Sequence, residues 1–379
     1  MTRDHKRPGT AVVIGASGQD GYFLTTRLLA EGYYEVHAAT RCPDALRSLA
    51  ALPEARERLS VHEVELTEPS SLFELIERAR PAEIYNLAGQ SSVSRSFDDP
   101  IGTWRTNAGF VAELLECVRL RSPATRLYQA SSSDMFGGAA GERVRHDEES
   151  VLNPQSPYAS AKAAAHLLCR AYREAYDLRI ACGILSNHES HRRPAQFLSR
   201  KIADYARELR RAGNTSPPAP LKMGNLKVRR DWGFAPDYVE GMQMVLRQIE
   251  VRSARARAGS TGETAADADE GRAYRDYVLG TGRTHAVWEL VDAAFRLAGF
   301  ALDWRLEGDE PARWHALFNA TGRLAVEVDP ELLRPTDPLA IEVDITRARR
   351  DLGWSPRAGV EVFLKDMLDN TPEHANAGS

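Results

Sequence analysis

Little about this 379-residue chain is extreme, and the shortages are informative. It has four cysteines, Cys42, Cys117, Cys169 and Cys182, at none of the spacings that hold a metal or make a redox pair. That excludes a disulfide scaffold, and we read the four as buried thiols of a reducing compartment, with no metal expected. The formal net charge is only −4, too small a field to draw the chain to nucleic acid or a membrane surface. No apolar run approaches the ~20 residues that span a bilayer, and the opening MTRDHKRPGT has no apolar signal core. A cytoplasmic protein with neither membrane nor nucleic-acid partners is the expectation. Its length suits one large α/β domain and a smaller one.

What is present starts at Ala11–Ile14 (AVVI), a short apolar run of the kind buried on both faces of a parallel sheet. It leads into Gly15-Ala-Ser-Gly18-Gln-Asp-Gly21 and then a helical pattern. Glycines at three-residue spacing let the chain turn tightly, and let backbone N–H groups at the helix start approach a pyrophosphate. The second strand, Glu35–Ala39, ends in Thr40-Arg41, with Arg47 beyond. NAD-preferring domains usually carry an acidic residue there for the ribose hydroxyls. Arg41 is instead read either as a clamp for a 2′-phosphate, hence NADP, or as a solvated loop arginine.

Strand-like runs recur at Ser60–Val64, Glu83–Leu87, Arg126–Ala130 and Ile180–Ile184, separated by helical patterns such as Ser70–Arg80 and Thr103–Arg121. Strands alternating with helices imply a doubly wound parallel sheet whose strand ends share one rim. Polar residues converge there: Glu65-Leu66, Ala88-Gly89-Gln90-Ser91, Ser131–Asp134 and Leu185-Ser186-Asn187. The segment SPYASAKAAAHLLCRAY reads as a helix from its Ser-Pro start and its Ala and Leu content. Tyr158 and Lys162 stand one turn apart on it, so phenol and ammonium project from the same face. A neighbouring cation would lower the phenol's pKa and make Tyr158 an acid or base near neutrality. A snorkelling lysine beside a half-buried aromatic is the alternative.

Beyond Asn187 the pattern changes. Gln196–Arg211 reads as an amphipathic helix, VEGMQMVLRQIE as another, and further helices are expected at Val287–Ala298 and near Val360–Leu368. Residues 251–273 have no apolar period and read as a mobile insertion; the tail EHANAGS reads as disordered. The division that follows is a dinucleotide-binding unit over 1–186, with 225–250 and 274–282 returning to it, and a second unit over 187–224 and 283–370.

The pieces GASGQDGYFLTTRLLAEGY, EIYNLAGQSSV, NPQSPYASAKAAAHLLCRAYREAY, NHES with paired arginines, RDWGF, YVLGTG and LGWSP together resemble the extended short-chain dehydrogenase/reductase superfamily. Within it they are most similar to the GDP-mannose 4,6-dehydratases, over about residues 11–368. The resemblance implies a Rossmann sheet of the extended type with a smaller carboxyl-terminal α/β substrate domain, bound NADP and a GDP-sugar substrate. It implies that Gly15, Ser17, Gly18, Gln19, Asp20 and Gly21 line the cofactor phosphates, Arg41 takes the 2′-phosphate, and Glu65 and Leu66 lie by the adenine. Leu87, Ala88, Gln90, Leu185, Asn187, His188 and Arg193 join the cofactor site. Tyr158, Lys162 and Ser132 form the hydride-transfer group, with Asp134 where the family has a glutamate base. Ser91, Ser92, Ser133, Asn187, Arg192, Lys201, Leu221, Gly224, Asn225, Arg230, Arg334 and Asp337 match substrate positions, and Arg192-Arg193 a loop that reaches a neighbour's cofactor. A homodimer or homotetramer is implied through the helices Thr103–Arg121 and Ala159–Tyr176. The chain departs from the family at Asp134, Phe136, Ser186 (for phenylalanine), His191 (for proline) and the Arg334–Asp337 region. A keto-sugar reductase or epimerase, and a dehydratase that stops at an unsaturated sugar, remain alternatives; a non-catalytic NADP-binding regulator has little use for both Tyr158 and Lys162.

Overall fold

Along the first strand, β1 (Gly9–Ile14), Ala11 and Val13 enter one apolar core while Val12 and Ile14 enter another. Side chains alternate across a strand, so an unbroken apolar run must be covered on both faces. The covering is by helices, and the strands between them pair in parallel. The computed structural model describes residues 9–32, 34–138, 145–213, 218–257, 275–334 and 336–370. In it β2 (Tyr34–Thr40), β3 (Leu59–Glu63), β4 (Glu83–Asn86), β5 (Arg126–Ser132), β7 (Ile180–Leu185) and β11 (Tyr277–Leu279) join β1 in one sheet, ordered β11-β7-β5-β4-β1-β2-β3. The order reverses beside β1, so the ends of β1 and β4 border the crevice where ligands bind in such sheets.

Among the described residues there are two smaller sheets. One runs β12 (Thr284–Ala286), β10 (Arg229–Phe234), β16 (Ala340–Val343) and β6 (Arg145–His146), with β8 (Asn187–Glu189) also on β10. The other joins β13 (Leu302–Arg305), β14 (His315–Phe318), β15 (Leu324–Val328) and β9 (Leu221–Met223). The helices Leu198–Ala212, Val287–Leu297 and Val360–Asp369 share a core with this last sheet, around Leu290, Phe295, Trp314 and Phe363.

Several expectations are corrected. Thr103–Arg121 is not one regular helix. A short helix at Pro100–Trp104 passes through a π turn at Arg105–Gly109 into Phe110–Arg121. The wider turn lets the Asn107 amide donate to Gln90 O at 2.8 Å, which helps hold the loop after β4. The supposed insertion begins as helix: Ala235–Arg257 runs without a break, as Ala- and Arg-rich sequence favours. Residues 258–273 of that insertion, and the tail from 371, lie outside the described residues. Cys42 is exposed, whereas Cys117, Cys169 and Cys182 are buried free thiols. Among the described residues no helix is long and apolar enough to cross a membrane.

Candidate active site

The glycine loop after β1 is a tight cradle. Gly15 sits at φ +86°, and a Cβ there would lie 2.9 Å from backbone atoms of Ala88. A Cβ on Gly21 would lie 2.2 Å from Gly15 O, so only glycine lets the helix Gln19–Ala30 close on the loop. Gly18 caps that helix without a side-chain hydrogen bond, leaving its first-turn amides for an anion. The donor set and the bare backbone fit a dinucleotide pyrophosphate. Ser17 is tied to the end of β2, whose Thr40 hydroxyl donates to Ser17 Oγ at 2.6 Å. Next to it Arg41 is exposed, with no ion pair among the described residues, whereas Arg47 is paired with Asp44 at 2.7 Å. Glu65 turns back to accept from Leu66 N at 2.8 Å. Gln90 donates to Ser92 O and to Thr103 Oγ1, half-buried Leu87 and Ala88 precede it, and Ser91 is exposed.

Asp20, half-buried, and His188, buried, form a pair across the cleft. His188 Nε2 lies 2.9 Å from Asp20 Oδ2 and Nδ1 lies 2.7 Å from Ser186 O. Burial favours the neutral imidazole, but Asp20 outweighs it and raises the His188 pKa. Gln19 donates to His188 O at 2.9 Å. Ser186, which replaces a family phenylalanine, bonds Tyr238 Oη at 2.6 Å, and His188 stacks on that ring at 4.5 Å.

At the carboxyl end of β5, Ser132, Ser133 and Lys162 are buried and Tyr158 is only 7% exposed. Ser156 caps the helix Pro157–Tyr176, accepting from Ala159 N, and so fixes the turn that carries Tyr158. Lys162 Nζ donates to Ala130 O at 3.1 Å. The expectation of a cation-lowered phenol is overturned here. Burial pushes the Tyr158 pKa well up, Asp134 pushes the same way, and Ser132 and Arg193 oppose without prevailing. Burial likewise brings Lys162 down to about 8. Asp134 is raised from the ordinary carboxylate value, by burial first, although Arg230 and Arg334 pull it down.

Asp134, Arg230, Arg334 and Asp337 line one small cavity, together with Val93, Gln155, Ser156, Ala159, Thr336 and Pro338. Arg230 Nη2 donates to Asp337 Oδ1 at 2.7 Å, and Arg334 lies 3.7 Å from the same oxygen. Thr336 Oγ1 donates to Gln155 O at 2.8 Å, which draws this segment over Asp134. Our sequence reading missed Val93, Gln155, Ser156 and Thr336; their one signal was adjacency to the motifs.

Other substrate-type residues gather at β9. Lys201 Nζ donates to Lys222 O at 2.7 Å, Leu221 is buried, and Asn225 Oδ1 accepts from Lys227 N. Gly224 packs so closely on Leu332 that a Cβ would lie 2.7 Å from its carbonyl oxygen. No recorded contact among the described residues joins Lys201, Leu221, Gly224 or Asn225 to Asp134, though Leu332 stands only two residues before Arg334. Asn187 is half-buried in β8 beside Trp232, and Leu185 is buried at the end of β7. Arg192 and Arg193, both half-buried, lie over the Tyr22 and Phe197 rings of their own chain.

Around the helix Pro157–Tyr176, His166, Cys182 and Asp276 bring ligand-type atoms within 4.8 Å of one another. Arg173 already engages both Asp276 oxygens, at 2.7 and 2.9 Å, and His166 Nδ1 lies 3.1 Å from Ser131 Oγ. A guanidinium therefore supplies the positive charge that this carboxylate requires.

Comparison with known proteins agrees with this geometry. The family model for GDP-mannose 4,6 dehydratase matches residues 12–269 and 265–367. The GDP-mannose 4,6-dehydratase of Sinorhizobium fredii is 35% identical over 368 residues, covering 94% of this chain and 95% of that protein. The GDP-mannose 4,6 dehydratase of Drosophila melanogaster is 33% identical over 371 residues, covering 96% and 86%. Among solved structures, the UDP-glucose 4-epimerase of Thermus thermophilus in complex with NAD has a TM-score of 0.71 at 21% identity, over 95% of this chain and 98% of that one; this is a likeness of fold. A match along almost the whole chain, on a parallel sheet with its polar residues at one rim, makes the chain a member of the GDP-mannose 4,6-dehydratase family.

Proposed function

We propose that this protein is an NADP-dependent nucleotide-sugar 4,6-dehydratase that converts GDP-mannose, or a related GDP-hexose, to the GDP-4-keto-6-deoxy sugar. The observation that carries the reading is the meeting of Ser132, Asp134 and Tyr158 at one strand end, with Arg230, Arg334 and Asp337 around the same carboxylate. Held on the Gly15–Gly21 loop, NADP would accept a hydride from carbon 4 of the sugar and return it at carbon 6. Tyr158 moves the proton of the carbon-4 hydroxyl, and Ser132 orients that hydroxyl by hydrogen bonding. A ketone at carbon 4 acidifies the proton on carbon 5; the Asp134 carboxylate removes it and passes it to the departing carbon-6 hydroxyl, which leaves as water, and a proton exchanged with solvent returns to carbon 5 as the hydride reaches carbon 6. Lys162, donating to Ala130 O, braces the strand end against the helix that carries Tyr158.

Incubation with GDP-mannose and no added cofactor should give a product lighter by one water, with solvent deuterium at carbon 5 when run in deuterated water. A product reduced at the expense of added NADPH, or an unsaturated one, would reject this reading in favour of its relatives in chemistry.

Exposed Arg41, where an acidic ribose ligand would stand, supports NADP over NAD. Arg41→Ala should weaken NADPH binding by about tenfold and leave NADH nearly unchanged, as removal of one charge-assisted contact implies. Calorimetric titration checks this, and equal losses for both cofactors would reject it. The same reading extends to assembly and location: a cytoplasmic homodimer or homotetramer that covers exposed Ile101, Trp104, Leu120, Leu167 and Tyr176 on the helices at 100–121 and 157–176.

A further inference from the structure

Between β8 and the helix Leu198–Ala212 the chain passes through Ser190-His191-Arg192-Arg193-Pro194. His191 is held from several sides. Its backbone N–H donates to Asp366 Oδ2 at 2.7 Å, and its Nδ1 lies 2.9 and 3.1 Å from the two oxygens of the same carboxylate. Its carbonyl accepts from Arg200 at 2.8 Å, and its ring meets Phe23 edge to face at 5.8 Å. Asp366 belongs to the last helix, 175 residues away, and Phe23 to the helix at the glycine loop.

The residues on either side follow this anchor. Ser190 Oγ donates to Gln19 Oε1 at 2.8 Å, and the Arg192 guanidinium lies 3.5 Å above the Tyr22 ring. Arg193 is packed over Phe197 at 3.8 Å, with its Nε 3.1 Å from Glu189, a carboxylate only 2% exposed. That approach is an ion pair without hydrogen-bond geometry, so the buried Nε–H has no acceptor. An unmatched buried donor is costly, and an anionic ligand would satisfy it. The cation's field reaches both Asp20, at the start of the helix after the glycine loop, and Tyr158; it helps hold Asp20 down and opposes the burial that keeps Tyr158 raised. Its charge therefore faces the cleft of its own chain.

We propose that the His191–Asp366 pair is a latch that positions Arg193, the arginine that the resemblance already places at the cofactor, in the cleft of its own subunit. The proposal rests on the dinucleotide reading above, not on which sugar is turned over. His191 is the positioning residue; Arg193 is the contact.

The test is a double-mutant cycle read as NADPH affinity by fluorescence titration. Arg193→Ala and His191→Ala should each raise Kd by about tenfold, the scale of a charge-assisted hydrogen bond. In the Arg193→Ala background, His191→Ala should add nothing, because its effect runs through Arg193. Losses that multiply would make His191 a general structural residue and overturn the latch, as would wild-type affinity in His191→Ala or a wild-type protein that binds no dinucleotide. Should His191→Ala fold poorly, Asp366→Asn, which keeps the volume, runs the same cycle from the other side. To separate own-chain from neighbour, Arg193→Ala and Tyr158→Phe chains are co-expressed with different tags. In mixed assemblies only the Arg193→Ala subunits turn over, and they should keep their NADP requirement raised about tenfold; a wild-type requirement would assign the cation to a neighbouring cleft. A wild-type chain that stays monomeric and still binds NADPH tightly supports the own-chain assignment. Failure of GDP-mannose as substrate would leave the binding cycle intact and readable.

Discussion

Asp134→Asn should lower GDP-mannose turnover by about 10²–10⁴-fold, the usual contribution of a positioned general base. It should not lower stability, since burial already disfavours the carboxylate and an amide of the same shape carries no such penalty. The pH profile separates this residue from Tyr158. A base works when deprotonated, so with Asp134 raised the acid limb of kcat/KM should lie above the ordinary value of 3.8. Arg334→Gln, which removes an exposed cation that now holds Asp134 down, should move that limb further up. Tyr158→Phe should lose turnover on the same scale and keep the limb. Asp134→Asn should abolish it and ease the upward pressure on the Tyr158 phenol. Wild-type turnover in Asp134→Asn would assign the base elsewhere.

The largest effect on stability is expected at Asp276. It accepts both nitrogens of Arg173 and the backbone N–H of Cys182 at 2.8 Å, in a buried setting beside His166. Burial alone would raise its pKa, but Arg173 outweighs burial and holds the carboxyl below its ordinary value. Asp276→Asn keeps the shape and leaves the Arg173 charge buried and uncompensated. Breaking a buried pair in this way costs about 3–5 kcal/mol. Denaturant unfolding should register that loss, and a change under about 1 kcal/mol would show that Arg173 finds solvent or another partner. A depressed carboxyl stabilises above its unfolded pKa and loses that contribution as pH falls through its lower folded value. Wild-type stability should therefore drop steeply below about pH 4, and the Asp276→Asn profile should be flatter there.

Six strands of the seven-strand frame were legible because their signals are local. AVVI serves two cores, three glycines announce a turn, and Ser-Pro starts the helix of Tyr158 and Lys162. Strands of three residues, β8, β9, β11 and β12, were not legible, since no period shows in so few positions. Nor was the direction of the Tyr158 shift. Spacing puts an ammonium on the same face, but which carbonyl takes its proton, and how dry the site is, depend on β5. His191 read only as a departure from a family proline, because its partner Asp366 lies on the last helix. Arg41 was the reverse case: its place at the end of β2 was plain, and what it binds is a matter for titration.

The strand β11 carries a consequence for how the chain can be made and divided. It pairs with β7 across nearly a hundred residues, Tyr277 opposite Gly183, and it brings Asp276 to Arg173 just before it. Non-local pairings of this kind form late, after the costly closure of the intervening loop. On the ribosome the first half must wait, its β7 an open edge and a guanidinium without its counter-ion, until the later segment emerges. An exposed apolar edge is a template for aggregation. Expression of the nucleotide-binding half as a fragment ending before residue 276 should accordingly give insoluble protein, so the two halves must be transferred between hosts, shuffled and engineered as one length of chain.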